Sequence, residues 1–384
     1  MKGKKCGSQR RADRVDHKVP DIFGYCAYVY IMAKAVLIDL CSSWSGQTPE
    51  SVARTLEAVQ EEDHFHTRFV YIMCYHAIKN ERYERNGEDA HHKIIQSFHC
   101  PEKGVAVVCS PSIVAALYTV KQKLDEKGID TIKIILPSKR KPSLREYVNR
   151  LFTSVYQIEF KDLQINGEEY NPENPTVLQS ELAKLTDRDV QEVESEIALF
   201  LKCLPSLKGK LTILKSFLIP DHIFLHGFTT RTGGISYIPT LSSFNLFSSS
   251  KRRDPPAVVK ENLRRLAAAA GFNQDKYHTI KVNHASDVWV MGKAQPKSFD
   301  ALVTNQKGVT IAAPGADCIP VLFADPVRKA CGAAHSGWLG TLLGVSMAVV
   351  DAMIKEYGSN VKDILVVLGT FCWALLFQAP TGIC

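Results

Sequence analysis

The sequence predicts a two-domain α/β protein, and three observations carry that prediction. From Met32 to about Phe160, apolar runs of strand length alternate with amphipathic helical stretches. The turn-forming pairs Asn166-Gly167, Asn171-Pro172 and Asn174-Pro175 then interrupt the pattern. Beyond them the alternation resumes, now punctuated by an Asp-Cys pair and glycine-rich turns. A length of 384 residues leaves ample apolar core for two or three domains.

Residues 1–31 read as an extension ahead of the first domain. The uncharged run at 22–33 falls short of the ~20 apolar residues that span a bilayer, and Asp13 and Asp16 ahead of it do not suit a signal peptide. Met32-Ala33-Lys34-Ala35-Val36-Leu37-Ile38-Asp39-Leu40 is a clean first strand and a plausible alternative start. In the N-terminal α/β domain, 32–165, further strands are expected at 69–74, 105–109 and 132–136. Pro111 and Ser112 open a helix over 113–127, with Val114, Leu117, Val120 (or Lys121) and Leu124 on one face and Gly128 at its end. Strand, helix and strand at this spacing make a βαβ unit with a right-handed crossover. No G-x-G-x-x-G lies at the turn, so nothing supports a dinucleotide site.

A linker at 166–180 leads into a second domain, 181–369, with a helix at 190–204. Its strands are expected at 211–216, 223–228, 279–282, 288–291, 309–312, 319–324, 330–334 and 364–368. Asp254-Pro255-Pro256 caps a helix whose inner face carries Val259, Leu263, Leu266 and Ala270, closed by Gly271. A last helix, 341–357, turns Leu342, Val345, Val349 and Ala352 inward. Residues 370–384 form a divergent tail that is dense in apolar side chains.

The formal net charge is +7, but Lys2, Lys4, Lys5, Arg10, Arg11, Arg14 and Lys18 concentrate basic charge in the extension. The body is near balance, which argues against a nucleic-acid partner and leaves a small anion such as phosphate compatible. Eleven cysteines without a C-x-x-C pair, in a chain this long, fit reduced thiols and a cytoplasmic setting. Cys74 and Cys109 lie in apolar runs and read as buried small hydrophobes.

Candidate chemistry gathers in Gly315-Ala316-Asp317-Cys318-Ile319-Pro320, in His335-Ser336-Gly337-Trp338-Leu339-Gly340, and around His284. A thiolate and two imidazoles from His284, Cys318 and His335 are a zinc-type ligand set. Three protein ligands leave a fourth position for water, which ionises near neutral pH there. Singly, each also reads as structural, the histidines as satisfied polar groups and the cysteine as core. Arg231 has the fixed fork that suits an anion, or is a solvated turn arginine. Gly233 and Gly234 would let the backbone approach a ligand. The turn at 337–340 reads equally as an anion site at a helix start or as tight helix–sheet packing. Asp317 either orients ligands or water or caps a turn.

Residues 223–368 resemble the YfiH-type family, also called the laccase-domain or multicopper polyphenol oxidase family. The resemblance rests on Phe228-Thr229-Thr230-Arg231-Thr232-Gly233-Gly234-Ile235-Ser236, Phe244-Asn245-Leu246-Phe247, Asn262-Leu263-Arg264-Arg265-Leu266 and the two motifs containing Cys318 and His335, in family order and spacing. It implies a YfiH-like mixed α/β catalytic domain with His284, Cys318 and His335 at the metal-binding positions. It also implies zinc-dependent purine nucleoside chemistry. Adenosine would be deaminated to inosine by water that zinc activates. Adenosine, inosine and methylthioadenosine would be cleaved with inorganic phosphate to free base and ribose-1-phosphate. Arg231, read from its own chemistry, is the candidate catalytic contact to phosphate or substrate.

The alternatives are a copper-binding phenol oxidase, another C–N bond hydrolase, or a non-catalytic scaffold whose N-terminal domain binds a protein partner. His64-Phe65-His66 is the sole His-x-His in the sequence, so a multicopper cluster lacks its ligand pairs. His91-His92 and His99-Cys100 read as exposed or structural. Trp289 and Trp338 read as core, with stacking on a purine as the alternative. Nucleus, endoplasmic reticulum surface and peroxisome stay open as locations besides the cytoplasm. Two departures from the family pattern are expected to matter. Leu339 stands where the family carries Arg or Lys, and after Gly369 the family continues with a Gly-Pro segment and further helix and strand. The domain is therefore expected to be C-terminally incomplete, with an exposed apolar sheet, lower stability and lower activity.

Overall fold

The computed structural model describes residues 34–39, 69–75, 104–110, 112–162, 186–369 and 375–378. The first sheet is built from β1 (Lys34–Asp39), β2 (Phe69–Tyr75), β3 (Gly104–Ser110), β4 (Thr131–Leu136) and β5 (Gln157–Asp162). Its order is β3-β2-β1-β4-β5 and every pairing is parallel. Near-continuous apolar runs suit such a sheet, because both faces of a parallel sheet are usually covered. Helix α1 (Ile113–Glu126) starts where the Ser112 hydroxyl accepts from the Ala115 N–H, and it buries Val114, Leu117, Val120, Lys121 and Leu124. With α2 (Lys141–Leu151), it closes a core that includes Leu37, Tyr71, Ile134, Leu144 and Leu151.

Helix α3 (Asp187–Cys203) opens with a reciprocal cap between Thr186 and Asp189. Its Val193, Ile197 and Leu201 enter that same core, as do Ile235 and Val258 from farther along the chain. Packing therefore runs continuously from the first sheet into the later chain.

A buried ionic cluster reinforces this junction. Lys121 is fully buried, with Nζ 2.8 Å from Asp125 Oδ2 and 2.9 Å from the Tyr237 hydroxyl. The Tyr237 hydroxyl (2.6 Å) and the Arg253 guanidinium (2.6 Å) both donate to Asp125, as does Tyr156. Burial pulls the Lys121 ammonium below its ordinary pKa against the opposing pull of Asp125. Burial alone would raise the Asp125 carboxyl, but the Lys121 charge and the donors around it bring it below its ordinary value.

Two mixed sheets carry the remaining chain. One has the order β14-β12-β13-β10-β9, from β9 (Val288–Val290), β10 (Ala301–Thr304), β12 (Ile319–Asp325), β13 (Ala330–Ser336) and β14 (Leu365–Leu368). The other, β6-β7-β15-β11-β8, uses β6 (Ile213–Leu214), β7 (Leu225–Thr229), β8 (Tyr277–Thr279), β11 (Thr310–Ala313) and β15 (Leu375–Gln378). Helix α4 (Pro256–Ala270) ends at Gly271, whose φ of 82° is left-handed. Its buried side is Val258, Val259, Glu261, Asn262, Leu266 and Ala267, rotated from the expected face, so that Leu263 and Ala270 are half-buried.

Several expectations need correction. The last helix is two, α5 (Trp338–Leu342) and α6 (Val345–Tyr357), because Gly344 takes φ 78° between them. That break takes Leu342 off the buried face of α6, and it is 76% exposed rather than inward. The strand expected at 279–282 lies at Tyr277–Thr279, with Lys281 making an isolated bridge to Phe299. Strand β10 was not foreseen. In the tail, Leu375–Gln378 form a strand between β7 and β11; an apolar run lacking a helical polar face suits an interior strand. The edge strand β14 leaves Val366 and Leu368 exposed. The expectations for His64-Phe65-His66, His91-His92, His99-Cys100, the linker turns at 166–175 and the Cys74 and Cys109 side chains fall outside the described residues. No helix among the described residues is long and apolar enough to cross a membrane.

Candidate metal centre

Strand register assembles the site. Antiparallel pairing of β12 with β13 sets Pro320 opposite His335. Cys318, one residue ahead of β12, and His335, near the end of β13, thus meet at one end of the sheet. On the other side of β13, Ala301 pairs with Ala334. Asp300 therefore stands beside His335, and the His335 N–H donates to its carbonyl at 2.8 Å. His284 comes from the loop before β9 and holds a left-handed φ of 61°, which is uncommon away from glycine.

The ligand atoms of His284, Cys318 and His335 lie within 4.8 Å of one another, and among the described residues this is the one such group found. Ligands on a tetrahedral zinc, with bonds of ~2.0–2.3 Å, stand about 3.5 Å apart, so atoms spread over as much as 4.8 Å would draw together to close on such an ion. Their exposure is graded: His284 faces solvent, Cys318 is intermediate and His335 is buried. A Cβ added at Gly337 would lie 3.0 Å from Cys318 Sγ, 3.2 Å from His284 Cδ2 and 3.7 Å from His335 Cε1. Glycine at 337 leaves open a gap that all three ligands border.

Protonation follows from the neighbours. His335 Nδ1 lies 2.9 Å from Asp300 Oδ1. A carboxylate only accepts, so Nδ1 carries the proton and Nε2 presents its lone pair. Burial pushes the Cys318 thiol up, and the charges of Asp317 and Asp300 push it the same way. A bare thiol there stays protonated, whereas coordination to a cation would draw off its proton. His284 adds a second imidazole to Cys318 and His335, and the three together could hold a metal ion.

The remaining candidates are placed as follows. Arg231 donates from Nε to the Ser242 carbonyl at 3.1 Å and from Nη2 to the carbonyls of Thr240 and Pro239 at 3.2 and 3.4 Å. Its fork clasps a loop. Cβ atoms at Gly233 and Gly234 would meet the Leu211 backbone at 2.4 Å and the Ser243 carbonyl at 1.9 Å, so these glycines let main chain pack on main chain. Asp317 is exposed. Trp289 is core, its indole N–H donating to the Lys293 carbonyl. Trp338, by contrast, is 78% exposed next to Gly337, against the core placement expected of it, because it opens a five-residue helix at the sheet end. A Cβ at Gly340 would lie 2.8 Å from the Ala285 carbonyl, so α5 packs tightly on the His284 loop. A separate groove of about 560 Å³, bordered by Arg150, Ile197, Leu199 and Arg264, shares no residue with the centre.

Asp300 is the residue that sequence reasoning missed. It is fully buried and accepts from the N–H groups of Asn283 (3.1 Å), His284 (3.1 Å) and Ala285 (2.9 Å) besides His335. The available signal was an acid opening the apolar run Ala301-Leu302-Val303.

The profile of the multi-copper polyphenol oxidoreductase laccase family matches residues 225–379. Purine nucleoside phosphorylase LACC1 of Homo sapiens is 52% identical over 355 residues, covering 91% of this chain and 80% of that protein. The chain belongs to this laccase-domain family. A purine nucleoside phosphorylase of Deinococcus radiodurans is 42% identical over 138 residues, 35% of this chain and 52% of the relative. The crystal structure of Bacillus licheniformis hypothetical protein YfiH aligns with 38% of this chain and 58% of its own, at 31% identity and a TM-score of 0.35. Laccase-domain relatives thus carry a phosphorylase name under a family description that mentions copper.

Proposed function

We propose that this chain is a zinc-dependent purine nucleoside enzyme, cleaving adenosine, inosine and methylthioadenosine with phosphate and deaminating adenosine to inosine. The observation that carries this reading is the Cys/His/His cluster gathered around Gly337, in a chain half identical to a named purine nucleoside phosphorylase. His284, Cys318 and His335 would hold the zinc, which would supply Lewis-acid chemistry and activate water there.

The chain's own groups do the rest. Trp338 offers an exposed aromatic face beside the centre on which a purine stacks. Asp317, the exposed carboxylate next to Cys318 in the chain, takes a proton from the water that adds at C6 and returns it to the departing amino group, which leaves as ammonia while the carboxylate is restored. In phosphorolysis, a phosphate oxygen bonds to C1′ as the bond from C1′ to the base breaks. Arg231 serves this step by holding the 239–242 loop. Its guanidinium gives its described bonds to carbonyls, which makes it a positioning group in this scheme.

Purified protein incubated with each nucleoside, with and without phosphate, tests the reading by chromatography of products and elemental metal analysis. Free base and ribose-1-phosphate should form only with phosphate, inosine should form from adenosine without it, and about one zinc should be bound per chain. Zinc-loaded protein that yields none of these products refutes the activity, and bound copper with oxidation of phenols supports the family's copper description instead.

A further inference from the structure

We propose that Asp300 is the positioning residue of the metal centre, orienting one histidine through its ring and the other through its main chain. The inference rests on the reading of His284, Cys318 and His335 as metal ligands.

Asp300 grips His335 twice. Its carbonyl takes the His335 N–H at 2.8 Å and its Oδ1 takes the Nδ1 proton at 2.9 Å. The two contacts fix where the residue lies and how its ring is turned. The ring is left in the tautomer whose Nε2 is free for a cation, and a carboxylate behind an imidazole strengthens it as a donor. Toward His284 the carboxylate acts differently. It collects three successive N–H groups, from Asn283, His284 and Ala285, at 3.1, 3.1 and 2.9 Å. Consecutive amides converging on one anion form a nest, a geometry in which a left-handed residue is an ordinary component. The φ of 61° at His284 is thereby explained, since the peptide turns so that its amide meets Asp300.

Asp300 is in turn anchored. The Asp287 carbonyl accepts from the Asp300 and Ala301 N–H groups at 3.0 and 3.1 Å. The carboxylate faces four donors in a fully buried setting, and only an anionic group with two oxygens accepts from all of them. Asparagine keeps the shape but offers one acceptor oxygen and turns an NH₂ toward amide donors. A residue that merely started β10 would need neither the charge nor the four contacts.

The test compares wild type with Asp300→Asn, without nucleoside in any metal measurement. Zinc affinity is read by competition with a chromogenic chelator, ligand geometry by the visible spectrum of the cobalt(II)-loaded protein, and folding by a thermal melt in EDTA. The expected result is zinc binding weakened about 10- to 100-fold in a folded variant, with a shifted cobalt spectrum. Unchanged affinity and an unchanged spectrum overturn the proposal.

Should Asp300→Asn not fold, nitrogen-15 NMR of histidine in zinc-loaded wild type decides. His335 with zinc on Nε2 and a proton on Nδ1 supports the assignment, and zinc on Nδ1 overturns it. Wild type that binds no zinc overturns both the metal reading and this one. Wild type that binds zinc yet turns over no purine refutes only the activity, and Asp300 is still judged by affinity and spectrum.

Discussion

Replacing Gly337 by alanine separates the metal centre from the fold. Gly337 has φ −73° and ψ 169°, ordinary extended values that alanine adopts without strain. The backbone therefore accepts the change, and narrowing the unfolded chain's freedom stabilises by about 0.4–1 kcal/mol. The new methyl group, however, would sit 3.0 Å from Cys318 Sγ and 3.2 Å from His284 Cδ2. Comfortable carbon contacts lie near ~3.5–4.0 Å, so the ligands must part by roughly half an ångström. Metal–ligand bonds keep within about 0.2 Å of their usual lengths, so a methyl group wedged among the ligands opposes their closing on an ion. We expect zinc affinity to fall at least tenfold, about 1.4 kcal/mol, with the metal-free melting temperature unchanged or slightly raised. Chelator competition and a melt in EDTA measure the two quantities independently. Zinc affinity within a factor of about two of wild type would refute the reasoning, because the gap at Gly337 would then not be the place where the ligands converge.

Cys318→Ala should remove bound zinc and purine turnover together, since two histidines do not hold a three-ligand site; unchanged zinc stoichiometry by elemental analysis refutes the ligand assignment. Arg231→Ala frees the carbonyls of Pro239, Thr240 and Ser242. It should cost about 1.5–3 kcal/mol in a denaturant titration, with phosphorolysis and deamination falling in parallel. Selective loss of phosphorolysis would instead put Arg231 on phosphate. Asp125→Asn leaves Lys121 buried without its counter-charge and should cost about 3–5 kcal/mol at pH 7. Because the folded-state pKa of Asp125 lies below its unfolded value, its contribution is present above about pH 4 and is lost as pH falls through the lower, folded value. Denaturant titrations at pH 7 and pH 3 should therefore show a smaller difference between wild type and variant in acid, and an equal difference refutes the charge argument.

Elements whose cause is local were legible. The helix at 113–126 follows from its apolar spacing and the Ser112 cap, and the strands at 69–75 and 104–110 from β-branched apolar runs. The division of the last helix escaped because a glycine permits φ 78° at Gly344 without requiring it. Trp338 shows the same limit. An indole's composition favours burial, but its position at the sheet end leaves it in solvent.

The sequence by itself determined the α/β class and the family motifs, and it offered His284, Cys318 and His335 as candidate metal ligands. Side-chain chemistry and local periodicity are written into neighbouring letters. Only tertiary structure decided that these three converge, because their meeting depends on the β12–β13 register, the β10–β13 register and one left-handed peptide. It also decided that Arg231 clasps a loop, that Lys121 forms a buried ionic cluster, and that Asp300 stands behind both histidines. A hydrogen bond between residues far apart in the chain leaves no periodic trace, since the acid that makes it is, in sequence, one carboxylate among forty acidic residues.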